Sequence, residues 1–218
     1  MSIPPQPKIY HILHVDRLAS VLADGWLWSD SMVQQRASPG TAIGMGSIKL
    51  RRLKSALNSH PKLTVGQCVP FYFCPRSIML YLIHQANHPD LTYRGGQGPI
   101  VHLEFDLHAS IAWAEKQSRR WAFTLSNAGS SYFEDRARIE QLGEIHWEAV
   151  GATRWSGHGV NPSLKEGKQA EFLIEECAPW SLIERIGVRT QSVYQHVAGL
   201  LAGQTHRPKL EILPNWYY

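Results

Sequence analysis

The chain has 218 residues, 44% of them hydrophobic and only 18% charged, which is enough apolar mass for one large core and too much for a disordered chain. A net charge of +4 suits transient contact with a polyanion but not long-range coating of nucleic acid. Three cysteines, Cys68, Cys74 and Cys177, with no CxxC pair argue against a disulfide framework or a zinc site. No apolar run approaches the roughly 20 residues that cross a bilayer. The start "MSIPPQPKIYHIL" lacks the basic and apolar regions of a signal peptide, so a soluble cytoplasmic protein is expected.

Taken in chain order, "PKIYHILHV" reads as a strand with Ile9, His11 and Leu13 on one face. Asp16 is placed to cap a helix in "RLASVLAD", where Leu18, Val21 and Leu22 recur at helical spacing and Gly25 supplies the stop. A Gly-rich loop, "SPGTAIGMG", feeds the basic segment "SIKLRRLKSAL", with Ser47 as its expected cap and Ile48 and Leu53 partly inward. "VPFYFC" is rich in strand formers, and Ser77 is placed to cap the helix "IMLYLIHQA" that follows. "PIVHLEFDL" and "RWAFTL" read as strands, and "SYFEDRARIEQL" as a helix. "IHWEAVGATRW" is ambiguous, extended towards its end.

In "QAEFLIEE" the alternation puts Ala170, Phe172 and Ile174 on one face and Glu171, Leu173 and Glu175 on the other. "LIERIGVRT", a helix in "SVYQHVAGLLAG" and a strand "KLEIL" complete the chain. Short strands and helices without a βαβ rhythm predict an α+β fold in one domain, residues 1–218.

Familiar catalytic templates are missing from the sequence: there is no P-loop, no GxGxxG, no HExxH and no nucleophile elbow. Cys74 reads as core. His11 is either a hydrogen-bonded core residue or a ligand-orienting group. Arg51 and Arg52 make either a solvated basic face or an anion site, since a guanidinium presents a planar fork to phosphate. "FYFCPRS" sets aromatics beside Arg76, either as core or as a surface for a nucleotide ring. Glu171, between Ala170 and Phe172, is either an acid on the wet face of a strand or a carboxylate held at the mouth of a pocket.

Several strings together carry a resemblance: "IYHILHVDRL", "IKLRRL", "VPFYFCPRSIMLY", "GGQGPIVHL", "HWEAVGATRW", "KQAEFLIEE" with "APWSLIERI", and "NWYY". In order and spacing they are similar to the DarT family of DNA ADP-ribosyltransferase toxins, in its thymine-modifying branch. The resemblance implies an ADP-ribosyltransferase fold of two packed, mainly antiparallel sheets with surrounding helices and an NAD cleft. It implies transfer of ADP-ribose from NAD, as co-substrate and without a metal, to a base in single-stranded DNA, with loss of nicotinamide and a block to replication. A DarG-type macrodomain antitoxin is the implied partner, with the toxin itself a monomer. Transfer to protein or RNA by the same fold is the alternative, and a nucleic-acid-binding module without catalysis stands behind it.

For individual residues the resemblance implies Glu171 as the catalytic glutamate and Arg52, or its neighbour Arg51, as the catalytic arginine. It implies His11, Tyr72, Arg52 and Asn127 as NAD contacts, although Asn127 stands where a basic residue or histidine is expected. Met79 and Trp155 are implied at the target nucleotide. The loop "SGHGVNPSLKEG" (156–167) is implied as the substrate-recognition element, with Lys165 and Lys168 meeting phosphate.

Overall fold

The computed structural model describes residues 3–36 and 40–218; Met1, Ser2 and Ala37 lie outside it, as do Ser38 and Pro39 at the head of the Gly-rich loop. The first part of the chain forms β1 (Lys8–His14), α1 (Leu18–Asp24), β2 (Trp26–Trp28), α2 (Asp30–Gln35) and α3 (Gly46–Arg52). The middle forms β3 (Cys68–Tyr72), α4 (Ile78–Gln85), β4 (Ile100–Asp106), α5 (Leu107–Lys116), β5 (Trp121–Thr124), β6 (Asp135–Arg136) and α6 (Trp147–Gly151). The last part forms α7 (Pro162–Gly167), β7 (Glu171–Glu175), β8 (Cys177–Pro179), β9 (Ile183–Val188), α8 (Gln191–Leu201) and β10 (Lys209–Ile212).

Eight strands make one sheet in the order β10-β9-β4-β1-β3-β7-β5-β6, antiparallel except for the β9–β10 pair, while β2 and β8 form a separate two-stranded ribbon. The α+β class is as expected, and the two expected sheets take a specific form. β1 matches β4 over seven residue pairs and β3 matches β7 over five, but β1 meets β3 only at Tyr10↔Tyr72. The large sheet is therefore two four-stranded halves hinged at one point.

Packing explains why strand polarity misleads in the middle of this sheet. On β7, Ala170, Phe172 and Ile174 join the main core with Ile9, Leu13, Phe71 and Phe105. Leu173, on the face expected to be wet, is also fully buried, in a second cluster with Leu57, Leu63, Val65 and Phe133. The segment between α3 and β3 covers that face, so Glu171 sits in a strand buried on both sides. Glu175 and Glu176, at the end of β7, pair with Arg120 and Arg119.

Some local signals hold and others give way. Gly25 ends α1 at φ 72°, a left-handed conformation that costs glycine little. Ser77 caps α4 by accepting from the Leu80 N–H at 3.2 Å. Asp16 does not cap α1: its carboxylate accepts from the Thr41 N–H (3.0 Å) and hydroxyl (2.7 Å), fastening the Gly-rich loop at Thr41. Ser47 lies inside α3 and donates to Asp90 at 2.9 Å, so it is not the cap either. "SYFEDRARIEQL" is not an α-helix but holds β6 and a 3-10 turn. There Asp135 accepts from the backbone N–H of Asn58 (2.8 Å) and Ser59 (2.9 Å), a tertiary anchor that periodicity does not encode.

Candidate active site

A cleft of about 210 Å³ opens at the seam between the two half-sheets, where the β1–β3 ladder stops. His11 comes from β1, Pro70 and Tyr72 from β3, and Glu171 from β7, with α3 and the 41–45 segment as the opposite wall. The His11 Nδ1 lies 2.8 Å from the Pro70 carbonyl, so a side-chain bond spans the seam where backbone pairing has ended. A carbonyl only accepts, so Nδ1 carries the proton and Nε2 is left as an acceptor. Burial lowers the His11 pKa to about 4, which keeps the ring neutral near pH 7.

Glu171 and Arg52 form the floor. Register places Glu171 directly across from Tyr72, and the last turn of α3 delivers Arg52 from 119 residues away. The guanidinium donates in parallel to both carboxylate oxygens, Nη1 to Oε1 at 3.0 Å and Nη2 to Oε2 at 2.9 Å. A third bond comes from the Ala128 N–H at 3.3 Å. Glu171 is 3% exposed and Arg52 8%. Burial opposes the Arg52 charge, but the Glu171 carboxylate outweighs it and holds the guanidinium above its usual range. Tyr72 is pushed up as well, first by burial and then by the Glu171 charge, so its phenol stays protonated.

Close backbone packing holds α3 over the floor. A side chain at Gly66 would put its Cβ 2.8 Å from the Leu53 backbone, the residue after Arg52, so only glycine lets the helix end approach this far. On the strand side, Thr124 Oγ accepts from the Glu171 N–H at 3.1 Å and donates to the Ser126 carbonyl at 2.6 Å. That hydroxyl tethers the 125–128 loop, whose Ala128 N–H completes the carboxylate's shell.

Of the residues named from sequence, His11, Arg52, Tyr72, Met79, Asn127 and Glu171 all line this one cleft. Arg51 is exposed on α3 and does not. Asn127 is tied to Gln169 (3.0 Å) and to the Gly129 N–H (2.7 Å). Trp155 is buried, its indole N–H bonded to the Tyr218 hydroxyl at 3.0 Å and its ring edge-on to Tyr81. Lys165 is exposed on α7. Lys168 is not at the surface where a phosphate would meet it: it is 4% exposed, and its ammonium donates to the Val150 and Ala152 carbonyls.

Sequence reasoning missed a second ion pair in the cleft, Lys49 to Asp30 at 2.6 Å, which joins α3 to α2. It also missed Trp26 and Trp28 at the far end of the cleft. The basic run around Lys49 was visible, but nothing local pairs it with Asp30. Among the described residues no group of His, Cys, Asp and Glu is arranged to hold a metal ion, and the three cysteines are free and buried. Such a cleft can hold an elongated polar ligand with its reacting carbon above a carboxylate. It offers a neutral histidine acceptor for a hydroxyl and a guanidinium poised between the carboxylate and any incoming anion.

The split α+β sheet that carries this floor is similar in fold to solved DarT structures. The DarT protein of Thermus sp. 2.9 in complex with ADP-ribosylated ssDNA matches with a TM-score of 0.88 at 34% identity, over 100% of this chain and 99% of that one. The same protein in complex with NAD+ gives 0.83 at 33% identity, with full coverage of both chains. In sequence, the DNA ADP-ribosyl transferase of Thermus sp. (strain 2.9) is 36% identical over 219 residues, covering 100% of this chain and 99% of the relative. That of Escherichia coli O127:H6 is 26% identical over 220 residues, covering 99% and 95%. The family model described as DarT, ssDNA thymidine ADP-ribosyltransferase, matches residues 10–218. The chain belongs to the DarT family.

Proposed function

We propose that the chain binds NAD in the seam and transfers its ADP-ribose to a thymine ring nitrogen in single-stranded DNA in a sequence-dependent manner, releasing nicotinamide. The observation that carries this reading is the buried Glu171–Arg52 pair on the floor of a cleft that also presents His11 Nε2 and Tyr72. The Thermus sp. 2.9 relative, bound to NAD+ in one solved structure and to ADP-ribosylated ssDNA in another, supports it.

Chemistry assigns the roles. Breaking the nicotinamide–ribose bond sends the electron pair out with nicotinamide and leaves an oxocarbenium-like ribose, which a nearby carboxylate stabilises. A thymine ring nitrogen loses a proton only at about the pH of a Tyr or Lys side chain, pKa about 10, so attack at neutral pH needs a base or an adjacent cation. Glu171 takes that proton as the nitrogen bonds to the ribose carbon. While three N–H groups occupy Glu171 it is a poor base, so Arg52 must release it, and a base carbonyl or the pyrophosphate is the new partner for the guanidinium. His11 orients a ribose hydroxyl, Tyr72 lies against nicotinamide, Met79 faces the target base and Asn127 closes the cleft. Arg52 rather than Arg51 is the catalytic arginine.

The test is to incubate the protein, NAD and a library of single-stranded oligonucleotides, and map products by mass spectrometry. One added ADP-ribose on a thymine is expected; adducts confined to protein or RNA favour the alternative substrate, and none at all removes the reading. The same reading has the protein act in the cytoplasm as a monomer, opposed by a DarG-type macrodomain antitoxin. Among the described residues no helix is long and apolar enough to cross a membrane.

A further inference from the structure

Lys168 is a buried cation that the proposed chemistry does not use. Its ammonium donates to the Val150 carbonyl at 2.6 Å and the Ala152 carbonyl at 2.8 Å. No carboxylate among the described residues pairs with it. Burying a charge on carbonyl partners alone costs stability that an apolar side chain of the same length would not, so the position calls for a reason.

The reason lies in where the partners are. Residues 150 and 152 are the end of α6, where the chain departs into the 153–167 loop, and residue 168 is where it returns. One ammonium thus ties the outgoing and incoming stems of the loop together. The neck is tight from a second side: a Cβ on Gly167 would lie 2.8 Å from the His146 Cβ and 3.0 Å from that of Ala149. Trp155, bonded to Tyr218, fixes the outgoing stem just above the neck. Beyond it the tip is free: Gly157 and Gly159 take positive φ angles, and most side chains from 157 to 166 are exposed. Three residues after Lys168, β7 begins at Glu171.

We infer that Lys168 is a positioning residue, a clamp on the neck of the 153–167 loop that sets how the loop presents a single strand to Glu171. This rests on the proposed transfer to DNA. None of residues 146–169 lines the NAD cleft, and the neck reaches it only through the Asn127–Gln169 bond, so the clamp acts chiefly on the DNA side of the reaction. Without it, two carbonyls are left without their donor and draw water into the neck, and the tip drifts relative to the carboxylate. Misplacement by about 1 Å is enough to slow a reaction by up to about a hundredfold.

The experiment compares the wild type with Lys168→Met, which keeps the length and removes the charge, and with Gly167→Ala, which pries at the same neck from the His146 side. NAD affinity is measured by calorimetry, and kcat and KM for DNA across an oligonucleotide library by mass spectrometry. Both variants are expected to bind NAD within about twofold of wild type, to raise KM for the preferred strand about tenfold and to flatten the preference between strands. If Lys168→Met does not fold, Gly167→Ala, which keeps the ammonium, carries the test. Unchanged KM and strand preference overturn the inference, and so does an equal loss of NAD affinity, which marks a merely structural residue. A wild type that modifies no strand instead defeats the reading of the function beneath it.

Discussion

Replacing Glu171 by glutamine separates chemistry from stability at the same atoms. The carboxylate accepts from Arg52 at 3.0 and 2.9 Å and from the Ala128 N–H at 3.3 Å, in a site 3% exposed. Glutamine keeps one acceptor oxygen but turns an NH2 donor towards a guanidinium donor, leaving Arg52 buried with half its partner. Removing one member of a buried pair costs about 3–5 kcal/mol when water is excluded. The cleft admits water on one side and one bond survives, so about 2 kcal/mol is expected. For a domain of this size that lowers the melting temperature by about 4–8 °C. Transfer should fall about a thousandfold, the scale of a lost base and a lost electrostatic stabiliser, with NAD affinity within about threefold. The double variant Arg52→Met/Glu171→Met removes both charges and should melt at or above the wild-type temperature while remaining inactive, because a buried ion pair is retained here for chemistry and not for stability. Thermal melts and mass-spectrometric transfer assays on the three proteins read both effects. Wild-type transfer by Glu171→Gln refutes the assignment, and a double variant less stable than Glu171→Gln refutes the energetic argument.

Arg51→Ala should leave transfer within about threefold of wild type, since the side chain is exposed, whereas Arg52→Ala should match Glu171→Gln; steady-state rates on one oligonucleotide decide. Gly66→Ala should lose about 1–3 kcal/mol by overpacking and also slow transfer, because the Leu53 backbone it pushes on carries Arg52; denaturant melts and rates should fall together. His11 and His102 both titrate in the folded state at about 4, against about 6.5 when unfolded. Below pH 6.5 the unfolded chain therefore takes up protons that the native one refuses, so their contribution is complete above pH 6.5 and is lost as pH falls towards 4. Each approaches about 1.4 kcal/mol per pH unit, and His11→Gln should remove about half of the difference between melts at pH 7 and pH 5.

The family strings, the α+β class, the strand character of β1, β4, β5 and β7 and the Ser77 cap were all legible from residues in order, because alternation and capping are properties of neighbours. Glu171 stood out for the same reason, as an acid with apolar residues on both sides. Which arginine meets it was not legible: Arg51 and Arg52 are adjacent and alike, and only the rotation of α3, set by the approach of Leu53 to Gly66, turns one in and leaves the other in water. Nor was the second buried face of β7, since the cover comes from the segment between α3 and β3. Lys168 is implied by the resemblance to meet a DNA phosphate, whereas the tertiary fold brings the end of α6 over it and gives its charge to two carbonyls. What the sequence determined by itself was which residue types stand at which spacing. What only the tertiary structure decided was which of them lose water and to whom, because desolvation and charge pairing depend on groups more than a hundred residues apart, such as Arg52 and Glu171.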